Sequence, residues 1–351
     1  MHFYKHISMK KVLVFALSVL AVNTAISQSD KQLTHYMFDR MSYNPATTGM
    51  KGYCGTLIYR GQWDKVQDAP NTLLFNVQGN LPTFAGGSGA GLSFMSDVIG
   101  YGKETEVKLN YAKHIDVQGY GLFSAGLGLG IENVGFQPKW NAPETGTDAT
   151  LDPNLPLGTS GTAFDVNLGL HWKGTGTQGY YIGVSATHIT APAIDKVSFN
   201  KARHLYVMAG YQISQAKQSW AYFLPNNLTI TPSLLWKTDM TTSAIDVNVL
   251  ADYWLTVDMG VYAGITYRTA KADAAAFMVG FQMKRYNTNG GVTKGGALKG
   301  PADVLKIGYS YDMMTGPLAQ YWYGSHEIML NYCIFSPPPP VTRYGNVRIL
   351  Q

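Results

Sequence analysis

The stretch Gly324-Ser-His-Glu-Ile-Met-Leu-Asn-Tyr-Cys-Ile-Phe335 decides the fold. From Ile328 it alternates, with Ile328, Leu330, Tyr332 and Ile334 on one side and Glu327, Met329, Asn331, Cys333 and Phe335 on the other. Successive side chains point to opposite faces in an extended chain, so this is a strand. Ser336 and four prolines follow at once, and proline cannot donate a ladder hydrogen bond, so the sheet ends here. A last strand still needs a partner. If earlier segments alternate too, the simplest partner is the first of them, which closes a barrel.

The earlier segments do alternate. Tyr53, Leu57 and Tyr59 oppose Cys54, Thr56 and Arg60; Leu73, Phe75 and Val77 oppose Asn76 and Gln78; Val107, Leu109 and Tyr111 oppose Glu106, Lys108 and Asn110. In Phe123, Leu127, Leu129 and Ile131 the opposite row is glycine, at 126, 128 and 130. The clearest case sets Phe164, Val166, Leu168, Leu170 and Trp172 against Asp165, Asn167, Gly169 and His171. A charged row facing an apolar row within one strand needs water on one side and lipid on the other. With further strands around residues 90–94, 182–186, 205–213, 228–236, 245–253, 261–267, 277–283 and 305–311, the expected fold is all-β. It is a transmembrane antiparallel β-barrel of about fourteen strands over residues 53–335.

Composition agrees. Charged residues make up 14% of the chain, against roughly 25% in soluble domains. Glycine (38), tyrosine (23) and aromatics (13%) run high, while mean hydropathy is only −0.07. Low charge with average hydropathy suits a barrel, in which apolar outward residues are offset by polar or small inward ones.

The first 27 residues read as a signal peptide. Lys10 and Lys11 precede an eleven-residue apolar run, residues 12–22, and Ala25-Ile26-Ser27 supplies the small residues of a cleavage site. The run is well short of the ~20 residues a spanning helix needs. Cleavage removes three lysines and no acid, so the formal charge falls from +5 to +2 and gives no argument for nucleic acid. The expectation is an exported protein of the cell outer membrane, in contact with its lipid.

Residues 28–52 are too polar for lipid and too aromatic for an idle tail. Leu33, Tyr36, Met37, Arg40 and Met41 would share one face of a short helix that Asn44-Pro45 stops. Two readings stand: a plug or hatch inside the lumen, or an ordered lead-in capping the periplasmic mouth. With a periplasmic N-terminus, connections after odd-numbered strands face outward, the longest being residues 132–160. The unusually long inward connection, residues 285–301, carries Arg285, Lys294 and Lys299 without an acid. It either docks an acidic partner or is a solvated glycine-rich loop. The proline-rich tail, residues 336–351, holds Arg343, Tyr344 and Arg348 in apolar company and could dock on a partner, also as an added strand.

No catalytic, cofactor or metal site is expected. Gly87-Ser-Gly-Ala-Gly91 and Gly126-Leu-Gly-Leu-Gly130 lie along strands, not in the strand-to-helix turn of a phosphate loop. His326-Glu327 lacks the second histidine of a helical zinc site. Inward Glu106, Asp165, His171, Asp246, Asp252 and Arg268 come with no serine elbow or spaced acid pair, so they hydrate a lumen or hold a plug. Cys54 and Cys333 fall at the same end of the first and last strands, both facing inward. They could form a disulfide across the seam, or remain two lumen thiols, depending on register.

Several motifs then carry a resemblance. Gln32-Leu-Thr-His-Tyr-Met-Phe38 with Tyr43-Asn-Pro-Ala46, Tyr59-Arg-Gly-Gln-Trp63 with Ala69-Pro70, Gly91-Leu-Ser-Phe-Met-Ser-Asp97 with Ile99-Gly100, and Gly324-Ser-His-Glu-Ile328 resemble the PorP/SprF family. The resemblance spans nearly the whole chain after the signal peptide. It marks Tyr36, Phe38, Tyr43, Asn44 and Pro45 as family-motif residues of the plug segment. It implies a non-enzymatic barrel of the type IX secretion system, which also serves gliding motility. The partners it implies are the PorK/PorN periplasmic ring proteins, a peptidoglycan-linked OmpA-like protein and secreted cargo with the system's C-terminal domain. Tyr43-Asn-Pro-Ala46 is also similar to the N-terminal hatch of FadL fatty-acid transporters, which have fourteen strands. That likeness makes the expected barrel FadL-like and supplies the rival function, transport of small hydrophobic molecules.

Overall fold

The alternation read from the sequence becomes fourteen antiparallel strands, in a computed structural model that describes residues 31–63, 66–81, 87–137, 158–174, 179–191, 193–194, 199–269, 274–286, 301–315 and 324–335. Numbered along the barrel, they are β1 (Tyr53–Gly61), β2 (Asn71–Leu81), β3 (Ser88–Ile99), β4 (Gly102–Val117), β5 (Gly121–Phe136), β6 (Thr159–Gly174) and β7 (Tyr180–Thr187). The second half comprises β8 (His204–Tyr211), β9 (Leu228–Thr238), β10 (Ser243–Trp254), β11 (Met259–Thr269), β12 (Ala274–Tyr286), β13 (Pro301–Met314) and β14 (Ser325–Ile334). Each strand pairs with the next, and β14 pairs with β1 to close the barrel. A two-residue ladder, Ala193–Ile194 with Phe199–Asn200, lies outside this sheet. No described helix is long and apolar enough to cross a membrane.

The outer face carries Leu57, Phe75, Leu109, Ile131, Leu170 and Ile328, all substantially exposed, Leu109 at 65%. Their inward neighbours, among them Arg60, Asn76, Glu106, Asn167 and Glu327, are buried. A continuous apolar outer band of this kind far exceeds the patches soluble proteins tolerate, and lipid is the medium that covers it. The end where β1 begins and β14 stops is the proximal mouth, and the opposite end the distal mouth.

Two boundaries differ from the sequence reading. The connection expected over 132–160 is shorter, because Glu132 to Phe136 stay in β5 and Thr159 and Ser160 open β6. Asn133 Nδ2 donates to Gly161 O (3.2 Å) and Thr162 Oγ1 (2.8 Å), so cross-strand bonds override the local turn preference of these residues. β4, β5 and β6 each run 16 residues, beyond the ~9–11 that span a bilayer. The short helix expected over residues 33–41 is absent. The chain instead makes turns, and among the described residues of the segment the only helix is a 3-10 turn, Pro45–Thr47. Proline here starts the turn: it stands at the first helical position, where its missing N–H costs nothing, and Asn44 Oδ1 accepts from Ala46 N (2.9 Å).

Cys54 stands opposite Cys333 in the β1/β14 register, and their sulfurs are bonded. The bond spans 279 residues of chain, and closing so long a loop restricts the unfolded chain by on the order of 5 kcal/mol. Reductant should therefore lower the temperature at which the barrel converts to its unfolded band in gel electrophoresis, and Cys333→Ser should behave as the reduced protein does. Identical transitions with and without reductant would rule the staple out.

Candidate functional site

Fourteen strands enclose a lumen wider than side chains alone fill. Here the chain itself occupies it. Leu33, Thr34, His35, Tyr36, Asp39, Tyr43, Asn44 and Ala46 are almost wholly buried, and their partners come from strands all round the barrel. The segment runs from the distal third, where Thr34 and His35 sit, to the proximal mouth, where β1 begins.

Its distal anchor is a chain of buried charges. Glu327 on β14 accepts from Thr34 N (2.9 Å) and His35 N (2.7 Å), and His35 Nδ1 lies 2.7 Å from Oε1. Arg60 on β1 donates to Glu327 (3.2 Å) and to Asp312 on β13 (2.6 Å). Asp312 also accepts from Thr34 Oγ1 (2.7 Å) and from Arg268 on β11 (3.2 Å). Arg268 continues to Asp246 on β10 (3.2 Å), which Lys237 on β9 reaches at 3.3 Å. Three acids, Glu327, Asp312 and Asp246, meet three basic side chains, Arg60, Arg268 and Lys237, so the network is balanced. Buried charge needs that balance, because each unpaired ion would cost several kcal/mol.

Neutral contacts fix the rest of the segment. Tyr36 Oη meets Ser233 Oγ (3.0 Å), and Ser42 donates to Asp39 (2.5 Å). Asn76 donates to both Asp39 and Ser42, while Ser185 donates to Tyr43 O (2.6 Å). Burial pushes the Asp39 carboxyl up, and the hydrogen bonds from Ser42 and Asn76 oppose it. Asn44 Nδ2 donates to Leu170 O (3.0 Å), and Gly49 N to Gln78 (2.8 Å). The glycine rows now have a role. A Cβ on Gly126 would stand 2.2 Å from Ala46 N, and one on Gly169 would stand 2.0 Å from Asn44 Oδ1. These bare positions let the Asn44-Pro45-Ala46 turn lie directly against β5 and β6.

The motif residues Tyr36, Phe38, Tyr43, Asn44 and Pro45 are thus all inside the barrel. Phe38 packs on Tyr262 (ring centroids 5.1 Å apart) and Tyr43 on Tyr206 (5.4 Å). Glu327 and Arg60, which complete the anchor, were legible only as inward positions. The signal was their register: once Cys54 stands opposite Cys333, Arg60 stands opposite Glu327. Asp312 and Lys237 lie on the strands next to those of Glu327 and Asp246, and what the sequence does not announce is the register that brings them level.

The docking residues fare differently. Arg285 belongs to β12, not to the connection beyond it, and pairs with Asp303 on β13 at 2.5 Å. What is corrected is the boundary: Arg285 is a strand residue with Asp303 alongside, so it is not part of a free basic loop. Lys294, Lys299, Arg343, Tyr344 and Arg348 lie outside the described residues. A second inward cluster joins Glu106, Glu132 and His188, whose ligand-type atoms lie within 4.8 Å of one another. The fold gives His188 the carboxylate neighbours that its position in the sequence does not suggest. Lys108 stands 2.7 Å from Glu106 and Lys201 3.2 Å from Glu132, so ammonium groups supply the positive charge there.

Residues 25–332 match the family model described as "Type IX secretion system membrane protein PorP/SprF". No curated protein matches the chain. Among solved structures, the CymD monoaromatic hydrocarbon channel is similar at 10% identity and a TM-score of 0.52, over 86% of this chain and 94% of that one. The toluene transporter TbuX of Ralstonia pickettii is similar at 12% identity and 0.48, over 85% and 94%. A Pseudomonas aeruginosa FadL homologue follows at 11% and 0.46, over 82% and 91%. At such identities the likeness to CymD concerns the fold alone.

Proposed function

The chain belongs to the type IX secretion system membrane protein PorP/SprF family, and from that premise we propose that this outer-membrane barrel is a non-enzymatic component required for secretion or surface attachment of cargo bearing the system's C-terminal domain. One observation carries the reading beyond family membership: residues 33–49 cross the lumen and are tied to it by a balanced ionic network. Such a barrel is built to stay closed, and it works by what its two mouths contact. The segment acts as a plug, the proximal mouth faces the periplasm, and the PorK/PorN ring and a peptidoglycan-linked OmpA-like protein engage it from that side.

The rival, a transporter of small hydrophobic molecules, calls for an apolar ligand pocket beside the plug. The cavity there, about 390 Å³ and lined in part by Met37 and Phe38, also presents Arg40, Lys51, Lys284 and Lys306. More of that lining is apolar than polar, but four basic side chains in one small cavity disfavour a ligand with no charge to offer them. Detergent or lipid bound deep in the lumen would favour the rival.

Affinity purification of the tagged protein from its native envelope tests the main reading. Secretion components and cargo should co-purify, and their absence would count against it. Deleting residues 340–351 should leave a folded barrel that no longer brings the ring proteins with it. Unchanged co-purification would show that the tail is not the docking element.

A further inference from the structure

The proximal mouth holds a feature the secretion reading does not use. Two adjoining cavities, about 390 and 130 Å³, share Phe38, Arg40, Lys51 and Gln212 and so form one vestibule beneath the plug. Its walls carry six basic side chains, Arg40, Lys51, Lys173, Lys217, Lys284 and Lys306, against a single acid, Asp252; burial and the neighbouring cations bring the Lys51 ammonium down to about 7, which an arriving carboxylate would reverse. Only Lys306 pairs with that acid, at 3.4 Å. Aromatic faces hold two others in place: Arg40 lies 3.8 Å above the Tyr181 ring and Lys284 3.2 Å above Trp254. Among the described residues Lys51 and Lys173 have no acidic partner within hydrogen-bonding reach. A cleft lined by one sign of charge between low-dielectric walls focuses its field and concentrates ligands of the opposite sign.

From this we infer that the vestibule is a binding site for an acidic, partly apolar peptide segment of another protein. The cations ask for carboxylates. Met37, Phe38, Met50 and Phe335 stand between them and give apolar side chains a surface, which a bare inorganic anion would not use. The chain's own tail has the wrong sign, because residues 336–351 contain Arg343 and Arg348 and no acid. The inference rests on the reading above only for the compartment that supplies the peptide.

The test uses the full chain, after signal-peptide removal, in neutral detergent. A fluorescein-labelled peptide alternating glutamate with leucine and phenylalanine is followed by anisotropy, beside its lysine-for-glutamate counterpart. Saturable binding of the acidic peptide, none of the basic one, and weakening of about tenfold in Lys51→Glu with Lys173→Glu are expected. Lys51→Gln with Lys173→Gln should fall between, and heat-modifiability on gels checks that each variant is folded. The inference is overturned if the folded charge-reversed variant binds like the parent. It is equally overturned if inorganic phosphate or phosphatidylglycerol micelles displace the label as well as unlabelled peptide does, for that would make this a simple anion or headgroup site. A folded parent that binds no acidic peptide, with ring co-purification intact, would sink this inference and leave the secretion reading standing.

Discussion

Glu327→Ala should release the N-terminal segment from the lumen and cost the barrel on the order of 3–5 kcal/mol, the range for removing one member of a buried ion pair. Glu327 is fully buried and serves two backbone amides, the His35 ring and Arg60 at once. Without it Arg60 keeps only Asp312 and Thr34, and the amides of Thr34 and His35 lose their acceptor in a dry site. Glu327→Gln should be milder, because the amide oxygen still accepts from the backbone while the charge is lost. Limited trypsin digestion reads the outcome, since Lys31 and Arg40 are shielded only while the segment is seated. Rapid cleavage there in Glu327→Ala, slower cleavage in Glu327→Gln and resistance in the parent are expected. Equal resistance in all three would mean that the anchor lies elsewhere.

That anchor shows where sequence reasoning reached and where it stopped. The strands were readable because each is two-faced, and a period of two needs no knowledge of neighbours. The seam was readable because Ser336 and the prolines stop the sheet, leaving β14 to find β1. The register of that seam was not readable; once Cys54 stands opposite Cys333, Arg60 opposite Glu327 follows from counting. Lys237, Asp246, Arg268 and Asp312 are another matter. They stand along one wall on nearby strands, Asp246 directly opposite Arg268, and which inward residues share a level depends on register, tilt and stagger, quantities no single strand encodes. The vestibule's basic residues are dispersed in the same way, one each from the plug, the turn before β1, β6, the β8–β9 connection, β12 and β13. Local signals misled twice, at both rims of the β5–β6 connection and in the N-terminal segment. In the first case ladder bonds won over turn propensity. In the second the helical face was real as an apolar pattern, but packing against strands from many directions replaced one helical face with turns.

The glycine cradle yields the second large effect. Val at both Gly126 and Gly169 should unseat the plug and make the barrel conduct. At Gly126 the added Cβ would stand 2.2 Å from Ala46 N and 2.4 Å from Pro45 C, with backbone on both sides of the clash, so no side-chain rotation relieves it. Overpacking of this kind costs about 1–3 kcal/mol per site. The strain can be met by bowing β5 and β6 or by moving the turn at Asn44, Pro45 and Ala46. β5 is laddered along its whole length to β4 and β6, whereas the turn is held by a few hydrogen bonds, so the turn should move. In planar bilayers the parent should stay silent, the double variant should show single-channel steps, and deletion of residues 31–49 should show larger ones. Gly135→Ala is the control: its Cβ would find only ordinary contact, 3.5 Å from Ser160 Cβ, and it should remain silent. If the deletion conducts but the double variant does not, the sheet has yielded instead of the turn and the cradle argument fails. If the deletion is silent too, residues 31–49 are not what closes the barrel.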